Sequence, residues 1–140
     1  MNNISYIIVQ AGGKGTRMKN LTRNKPKALV PIQNLPMIFH LFKAYPDKKF
    51  IIIGDYKFDV LKKYLEAFCT VDYVIVNGSG NIGTCAGLKD ALKIIPEHRQ
   101  FMLIWSDLVL SQGIALPKDN GNYIGISKEF RCRWSYVNGE

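Results

Sequence analysis

The stretch Q-A-G-G-K-G-T-R-M at residues 10–18 directly follows a short apolar run at residues 4–9. A continuous apolar run rich in β-branched residues is typical of a strand that is buried on both faces of a parallel sheet. Glycines let backbone N–H groups approach an anion closely, and Lys14 and Arg17 place positive charge where phosphate oxygens would lie. A second basic anchor, Pro26-Lys27, follows ten residues after Arg17. The stretch therefore predicts a phosphate-binding loop at the end of a strand.

Two well-known glycine-rich loops do not fit this stretch. The dinucleotide-binding pattern G-x-G-x-x-G, begun at Gly13, has Met18 where the third glycine is required. The Walker A pattern G-x-x-x-x-G-K-[ST] does not occur in the chain. The loop is therefore another kind of phosphate site, or a plain glycine turn beside a solvated basic loop.

The glycine loop and the segment after it carry a resemblance to a known family. Residues 11–18 read A-G-G-K-G-T-R-M, and residues 21–32 read L-T-R-N-K-P-K-A-L-V-P-I. Together they resemble the signature of the nucleotidyltransferases that activate sugar phosphates and phospho-alcohols, A-x-G-x-G-[ST]-R-[LM] followed by L-T-x-x-x-P-K-x-L-[VL]-P. The resemblance extends from Ile4 to about Leu110. It implies a Rossmann-like α/β fold and transfer of a nucleoside monophosphate from an NTP to a phosphorylated acceptor, with release of pyrophosphate.

Positive charge is concentrated near the amino terminus. The 140 residues have a formal net charge of +8, yet residues 1–46 contain no Asp or Glu. Surfaces that bind nucleic acid more often spread their charge and interleave aromatic residues, and no aromatic residue lies between Gln10 and Ile38. The confined charge predicts a compact polyanion such as a triphosphate as the partner, and no nucleic acid. The basic residues of this region are Lys14, Arg17, Lys19, Arg23, Lys25, Lys27 and Lys43.

Length, cysteines and hydropathy set broad limits. A chain of 140 residues, 47% of them hydrophobic, can form one domain with a core. Cys69, Cys85 and Cys132 form no C-x-x-C pair, so we expect reduced thiols in a cytoplasmic protein. No signal peptide and no apolar run long enough for a membrane span are evident, so no membrane partner is expected.

Apolar strands and amphipathic helices are predicted to alternate along the chain. This alternation predicts right-handed βαβ units and a three-layer, doubly wound, mainly parallel sheet. We also expect Trp105 in the core, a further strand at residues 123–127 and a hairpin turn at residues 136–140. The strands are predicted at residues 5–10, 50–54, 72–76 and 101–105, with a short extended piece at 28–32, and the helices at 36–44, 58–68 and 83–95.

Ligands of such sheets bind beyond the carboxyl ends of the strands. Four segments follow predicted strands: the glycine loop, Gly54-Asp55, residues 77–84 and Ser106-Asp107. Three of the four coincide with motifs of the family. Chemistry is therefore expected at this edge of the sheet.

The resemblance assigns the cations of the site. Nucleotidyl transfer needs charge neutralisation and in-line positioning more than an acid–base pair. By resemblance, Arg17 holds the leaving pyrophosphate, and Lys27 contacts the α-phosphate and the acceptor phosphate. Lys14 either adds to the same field or is a solvated loop lysine. The backbone of Ala11, Gly12 and Gly13 is implied to contact ribose, base and phosphates, and Gly15 and Thr16 to continue the phosphate cradle.

Residues 81–84 resemble the base-reading loop of the family, which implies nucleotide contacts from Asn81, Gly83 and Thr84. Many relatives carry a Gln five residues before that glycine, where this chain has Gly78, so the base stays open. The Asn81-Ile82 pair is similar to phosphocholine cytidylyltransferase-like relatives and favours CTP, with UTP and GTP as alternatives. The same residues also suit a helix N-terminus capped by Asn81 or Gly83.

Asp107 is the expected metal ligand. A carboxylate at the end of a strand, beside a bound triphosphate, suits Mg²⁺, and the resemblance implies the same role. The alternative is a cap or turn aspartate. Asp55 is expected to cap the helix that follows it, and His40 and His98 are expected to be structural because neither has further metal ligands nearby.

Members of the family usually continue with a comparable stretch that holds the acceptor and supplies a second metal-binding Asp. No residue of this chain matches that Asp. We therefore expect residues 1–140 to form a single nucleotide-binding domain, truncated at its carboxyl terminus and largely lacking the acceptor-binding part. The leading function is a Mg²⁺-dependent nucleotidyltransferase of sugar-nucleotide or capsule polysaccharide synthesis. The alternatives are a catalytically incomplete nucleotide-binding module and, less favoured, a basic nucleic-acid-binding domain.

Overall fold

The computed structural model describes residues 4–80, 83, 85, 87–110 and 114–126. Two short 3₁₀ segments, Thr16–Thr22 and Lys27–Leu29, lie between the first two strands. The regular elements in chain order are β1 (Ile4–Gln10), β2 (Pro31–Ile32), β3 (Leu35–Pro36), α1 (Met37–Ala44), β4 (Lys49–Gly54), α2 (Phe58–Phe68), β5 (Tyr73–Asn77), α3 (Leu88–Ile94) and β6 (Gln100–Trp105).

Four of the strands form the parallel sheet that the sequence predicts. Their spatial order is β5-β4-β1-β6, so β1 pairs with β4 on one side and with β6 on the other. Ile7, Ile8 and Val9 of β1 are fully buried, as expected for a continuous apolar strand at the centre of a sheet. The short strands β2 and β3 form a separate antiparallel ribbon.

Helices cover both faces of the sheet. Ile38 and Leu41 of α1 and Leu61 and Leu65 of α2 are completely buried in one core cluster. Ala91 of α3 packs against β-strand isoleucines in a second cluster on the opposite face. The three-layer, mainly parallel α/β architecture predicted from the sequence is therefore confirmed.

The edge strand β6 departs from the expectation of complete burial. Phe101, Leu103 and Trp105 alternate along it and are 39%, 37% and 46% exposed, so the prediction that Trp105 lies in the core is wrong. The physical reason is that α3 packs against β4 on that face of the sheet, while β6 is bonded to β1 alone among the described strands.

Three further element predictions need correction. The helix predicted at residues 83–95 has its described helical part at Leu88–Ile94, after Gly87 in a left-handed conformation. Of the extended piece predicted at residues 28–32, Pro31–Ile32 is a strand, but Lys27–Leu29 is a 3₁₀ turn, because the Leu29 and Val30 N–H groups donate to the carbonyls of Pro26 and Lys27. Residues 123–126 are exposed and form no strand, so the strand predicted there is wrong. Ser127 and the hairpin predicted at residues 136–140 lie outside the described residues.

Helix α2 has the predicted bounds, but its last residue is not buried. Phe68 is 60% exposed and stacks on Tyr64, with ring centroids 4.7 Å apart. Across the part of the chain that the structure describes, no helix has the length and apolar character needed to cross a membrane.

Candidate functional site

Hydrogen bonds beyond the strand ends bring the predicted loops to one edge of the sheet. The Ala11 N–H donates to the Ile53 carbonyl at 2.8 Å, and the Ser106 N–H donates to the Gln10 carbonyl at 3.0 Å. The start of the glycine loop is therefore bonded to β4 and to the segment after β6. A bond of 2.7 Å from the Gly78 N–H to the Gly54 carbonyl continues the same ladder. The loops after all four strands thus meet where the sequence predicts a site.

Two glycines of the loop allow close approaches. A Cβ on Gly12 would lie 2.9 Å from Cβ of Asp55, so a larger residue there would push the loop away from β4. Gly15 has a φ of 62°, and a Cβ on it would lie 3.0 Å from the Thr22 methyl carbon and 3.2 Å from Cβ of Lys27. Glycine at position 15 is therefore what lets the aliphatic stem of Lys27 pack against the loop.

Lys27 and Asp107 meet across the site. The ammonium nitrogen of Lys27 lies 2.5 Å from Oδ2 of Asp107, and the two side chains are 29% and 33% exposed. The pair joins the second half of the basic motif to the segment after β6, although the residues are 80 positions apart. The predicted cation and the predicted metal ligand are thus direct neighbours, with part of each side chain open to solvent.

The remaining predicted site residues differ in their exposure. Lys14, Thr16 and Arg17 are exposed on the loop, and Ala11 is buried beneath it. A Cβ on Gly13 would meet no atom within 4 Å, and the same holds for Gly83, which has a φ of 91°. Both glycines border open space. Asn81 and Thr84 lie outside the described residues.

Two polar residues that the sequence analysis assigned structural roles, Asp55 and His40, have hydrogen bonds in the structure. The carbonyl of Asp55 accepts a bond from the Phe58 N–H, and the residue that caps α2 is Lys57, without a side-chain bond, so the prediction that Asp55 caps this helix is wrong. Nε2 of His40 lies 2.9 Å from the Ile32 carbonyl oxygen. That contact ties α1 to β2 and agrees with the structural role expected for His40.

Tyr56 and Thr22 belong to the site but were not singled out by the sequence. The Tyr56 hydroxyl donates to the Thr22 carbonyl at 2.9 Å, and the Thr22 hydroxyl donates to the Gly15 carbonyl at 3.1 Å. Thr22 stands in the L-T pair of the motif and Tyr56 follows the end of β4, so a search of every loop beyond a strand end would have found them.

The residues at Asp107 limit how Mg²⁺ could bind. Within the described residues, no group of three or more His, Cys, Asp or Glu could hold a metal ion. Mg²⁺ commonly binds through one or two carboxylates together with substrate phosphates and water. The Asp107 carboxylate beside the glycine loop fits that mode, in which phosphates and water supply most of the ligands.

Comparison with known proteins agrees with this geometry. The family model for nucleotidyl transferases matches residues 6–118. A D-glycero-alpha-D-manno-heptose 1-phosphate guanylyltransferase of Campylobacter jejuni is 30% identical over 92 residues, covering 63% of this chain and 42% of that protein. A CTP:phosphoglutamine cytidylyltransferase of the same species is 28% identical over 113 residues, covering 75% of this chain and 44% of that protein.

The fold is shared with solved structures as well. HddC from Yersinia pseudotuberculosis, complexed with GMP-PN, superposes with a TM-score of 0.63 at 26% identity and covers 74% of this chain and 48% of that chain. The chain thus spans less than half the length of these relatives. Because the matched region takes in the glycine loop, Lys27 and Asp107, the chain belongs to the nucleotidyl transferase family.

Proposed function

We propose that this protein binds a nucleoside triphosphate at the carboxyl edge of its sheet and serves a nucleotidyltransferase reaction. That reaction transfers NMP to a sugar phosphate or phospho-alcohol and releases pyrophosphate. The observation that carries the proposal is the meeting of Lys27 and Asp107 beside the glycine loop, with a nitrogen–oxygen distance of 2.5 Å. A cation, a carboxylate and the backbone N–H groups of a glycine-rich loop are the parts needed to hold a triphosphate and neutralise the charge that develops in transfer.

Each residue of the proposed site has a role that follows from its position. Backbone N–H groups of the glycine loop donate to the phosphate oxygens, and the exposed side chain of Arg17 holds the departing pyrophosphate. Lys27 binds the α-phosphate and the acceptor phosphate, which requires its ammonium group to turn from Asp107 towards the nucleotide. Asp107 would then hold Mg²⁺, which supplies positive charge to the phosphate oxygens when it is bound.

The relatives differ in their nucleotide, so the base is proposed from the sequence alone. The two Campylobacter jejuni relatives are a guanylyltransferase and a CTP-dependent cytidylyltransferase, at 30% and 28% identity. CTP stays the favoured nucleotide because of the Asn81-Ile82 pair, with GTP and UTP as alternatives. The cytoplasmic location and the role in capsule synthesis also stay predictions.

The second function is a nucleotide-binding module that does not turn over by itself. The parts described above, a cation, a carboxylate and a glycine-rich loop, would serve nucleotide binding in either case. Nucleotide binding without pyrophosphate release in the presence of sugar phosphates or phospho-alcohols would favour the module. Pyrophosphate release with one acceptor would favour the enzyme.

Thermal shift measurements test nucleotide binding directly. CTP, UTP, GTP, ATP and dTTP are each added with and without Mg²⁺, since a ligand that binds only the folded state raises the melting temperature. We expect one nucleotide to stabilise the protein, more strongly with Mg²⁺, and the Mg²⁺ increment to vanish in Asp107→Asn. Asp72→Asn is the matched control, because Asp72 pairs with Lys49 at 3.7 Å on residues outside the site. If no nucleotide stabilises the wild-type chain, its proposed binding function is wrong.

A further inference from the structure

Tyr56 contacts both ends of the segment that carries the predicted phosphate ligands. Its backbone N–H donates to the carbonyl of Gly12 at 3.3 Å, and its hydroxyl donates to the carbonyl of Thr22 at 2.9 Å. Between these two points the chain forms the glycine loop and the first 3₁₀ segment, where Lys14 and Arg17 are exposed. Tyr56, which follows β4, is therefore bonded to both ends of this segment, at Gly12 and at Thr22.

The Thr22 end of this bridge is itself rigid. Thr22 is only 4% exposed, and its hydroxyl donates to the Gly15 carbonyl at 3.1 Å. That same carbonyl accepts a bond of 2.8 Å from the Met18 N–H. The bond from Tyr56 to Thr22 therefore also constrains the middle of the loop, because the Gly15 carbonyl accepts bonds from both the Thr22 hydroxyl and the Met18 N–H.

We propose that Tyr56 is a positioning residue for nucleotide binding, acting through its bridge across residues 12–22 rather than through contact with the nucleotide. The inference rests on the proposed function of the glycine loop. A neutral hydroxyl that donates to a carbonyl adds no charge to the site, so its effect comes from geometry. Ordering the loop before the ligand arrives removes an entropic cost from binding, which raises affinity without new contacts.

The test compares two tyrosine-to-phenylalanine variants of the full chain. Tyr56→Phe removes the hydroxyl that donates to the Thr22 carbonyl at 2.9 Å and lies 3.4 Å from the Arg23 carbonyl oxygen. Tyr45→Phe is the matched control, because the Tyr45 hydroxyl makes the same kind of bond, 3.1 Å long, to the carbonyl of Ile114. We expect Tyr56→Phe to weaken nucleotide affinity about threefold to tenfold, the range for the net contribution of one hydrogen bond, and Tyr45→Phe to leave affinity within twofold of wild type.

Amide hydrogen exchange supplies a readout that needs no nucleotide. The Met18 N–H is bonded to Gly15 and the Arg23 N–H to Asn20, whereas the Leu29 and Val30 N–H groups are bonded within the next turn. Exchange at Met18 and Arg23 should accelerate in Tyr56→Phe and not in Tyr45→Phe, while Leu29 and Val30 stay unchanged in both.

The outcomes separate this proposal from the proposed function. Unchanged affinity and unchanged exchange at Met18 in Tyr56→Phe would overturn the positioning role, even if the wild-type protein binds nucleotide well. If the wild type binds no nucleotide, the proposed function fails and, with it, the role in nucleotide binding, whatever the exchange data show. Thr22→Val should reproduce the loss of affinity and Thr22→Ser should restore it, since serine keeps the hydroxyl that reaches Gly15.

Discussion

Replacing Lys27 with methionine distinguishes the contribution of Lys27 to folding stability from its contribution to nucleotide affinity. The variant keeps the aliphatic stem that packs against Gly15 and removes the charge that pairs with Asp107. Because the two side chains are 29% and 33% exposed, the ion pair should contribute no more than about 1 kcal/mol to the free energy of unfolding. For a chain of this size, loss of the pair in Lys27→Met should lower the melting temperature by at most about 5 °C.

The expected loss of nucleotide affinity is much larger than this loss of stability. A hydrogen bond from an ammonium group to a phosphate is worth about 1.5–3 kcal/mol, which is roughly a tenfold to hundredfold change in the dissociation constant. Lys27→Met should therefore bind the preferred nucleotide about that much more weakly while remaining folded.

Isothermal titration of the nucleotide with Mg²⁺, together with melting curves of the free protein, measures both quantities. Lys49→Met is the control, because Lys49 pairs with Asp72 at 3.7 Å with side chains 35% and 68% exposed. It should alter neither the affinity nor the melting temperature appreciably. The reasoning is refuted if Lys27→Met binds nucleotide as tightly as Lys49→Met does.

Two further predictions concern a glycine before α3 and the relative reactivity of two cysteines. Gly87→Ala should lower the free energy of unfolding by about 2–4 kcal/mol, because a Cβ would lie 2.5 Å from Cγ2 of Ile53 at a φ of +74°. Denaturant titration measures this loss. Gly83→Ala, with no described atom within 4 Å of its Cβ, should lower the free energy of unfolding clearly less. Burial raises the pKa of the Cys69 thiol and so lowers its thiolate fraction at neutral pH, whereas Cys85 is exposed. Iodoacetamide at neutral pH should therefore modify Cys85 before Cys69, as followed by peptide mass spectrometry, and faster modification of Cys69 would contradict this assignment.

The sequence predicted the parallel strands well because their signal is local. Each is an unbroken apolar run of strand length, and such runs suit a sheet covered on both faces. The same argument failed for Trp105, because the burial of an edge strand depends on which strands of the sheet a helix covers. Sequence periodicity contains no information about that choice, which is made when α3 packs against β4.

The candidate site was predicted in outline for a related reason. Asp107 could be named because it follows a predicted strand, and Lys27 because it stands in the motif that resembles the family. Their direct ion pair spans 80 positions and has no local signature. Tyr56 was missed because its importance comes from two carbonyls that it reaches, those of Gly12 and Thr22. The amino-acid sequence does not indicate which backbone carbonyls accept such hydrogen bonds.

The two sides of the site differ in how firmly the fold holds them. The glycine loop leaves β1, whose Ile7, Ile8 and Val9 are fully buried between two strands. Asp107 follows β6, which is bonded to β1 alone among the described strands and exposes its alternate side chains. Elements with fewer buried contacts open at lower free energy. We therefore expect the segment that carries Asp107, after the end of β6, to move more readily than the glycine loop, so that a bound phosphate would draw Lys27 towards the loop and away from Asp107.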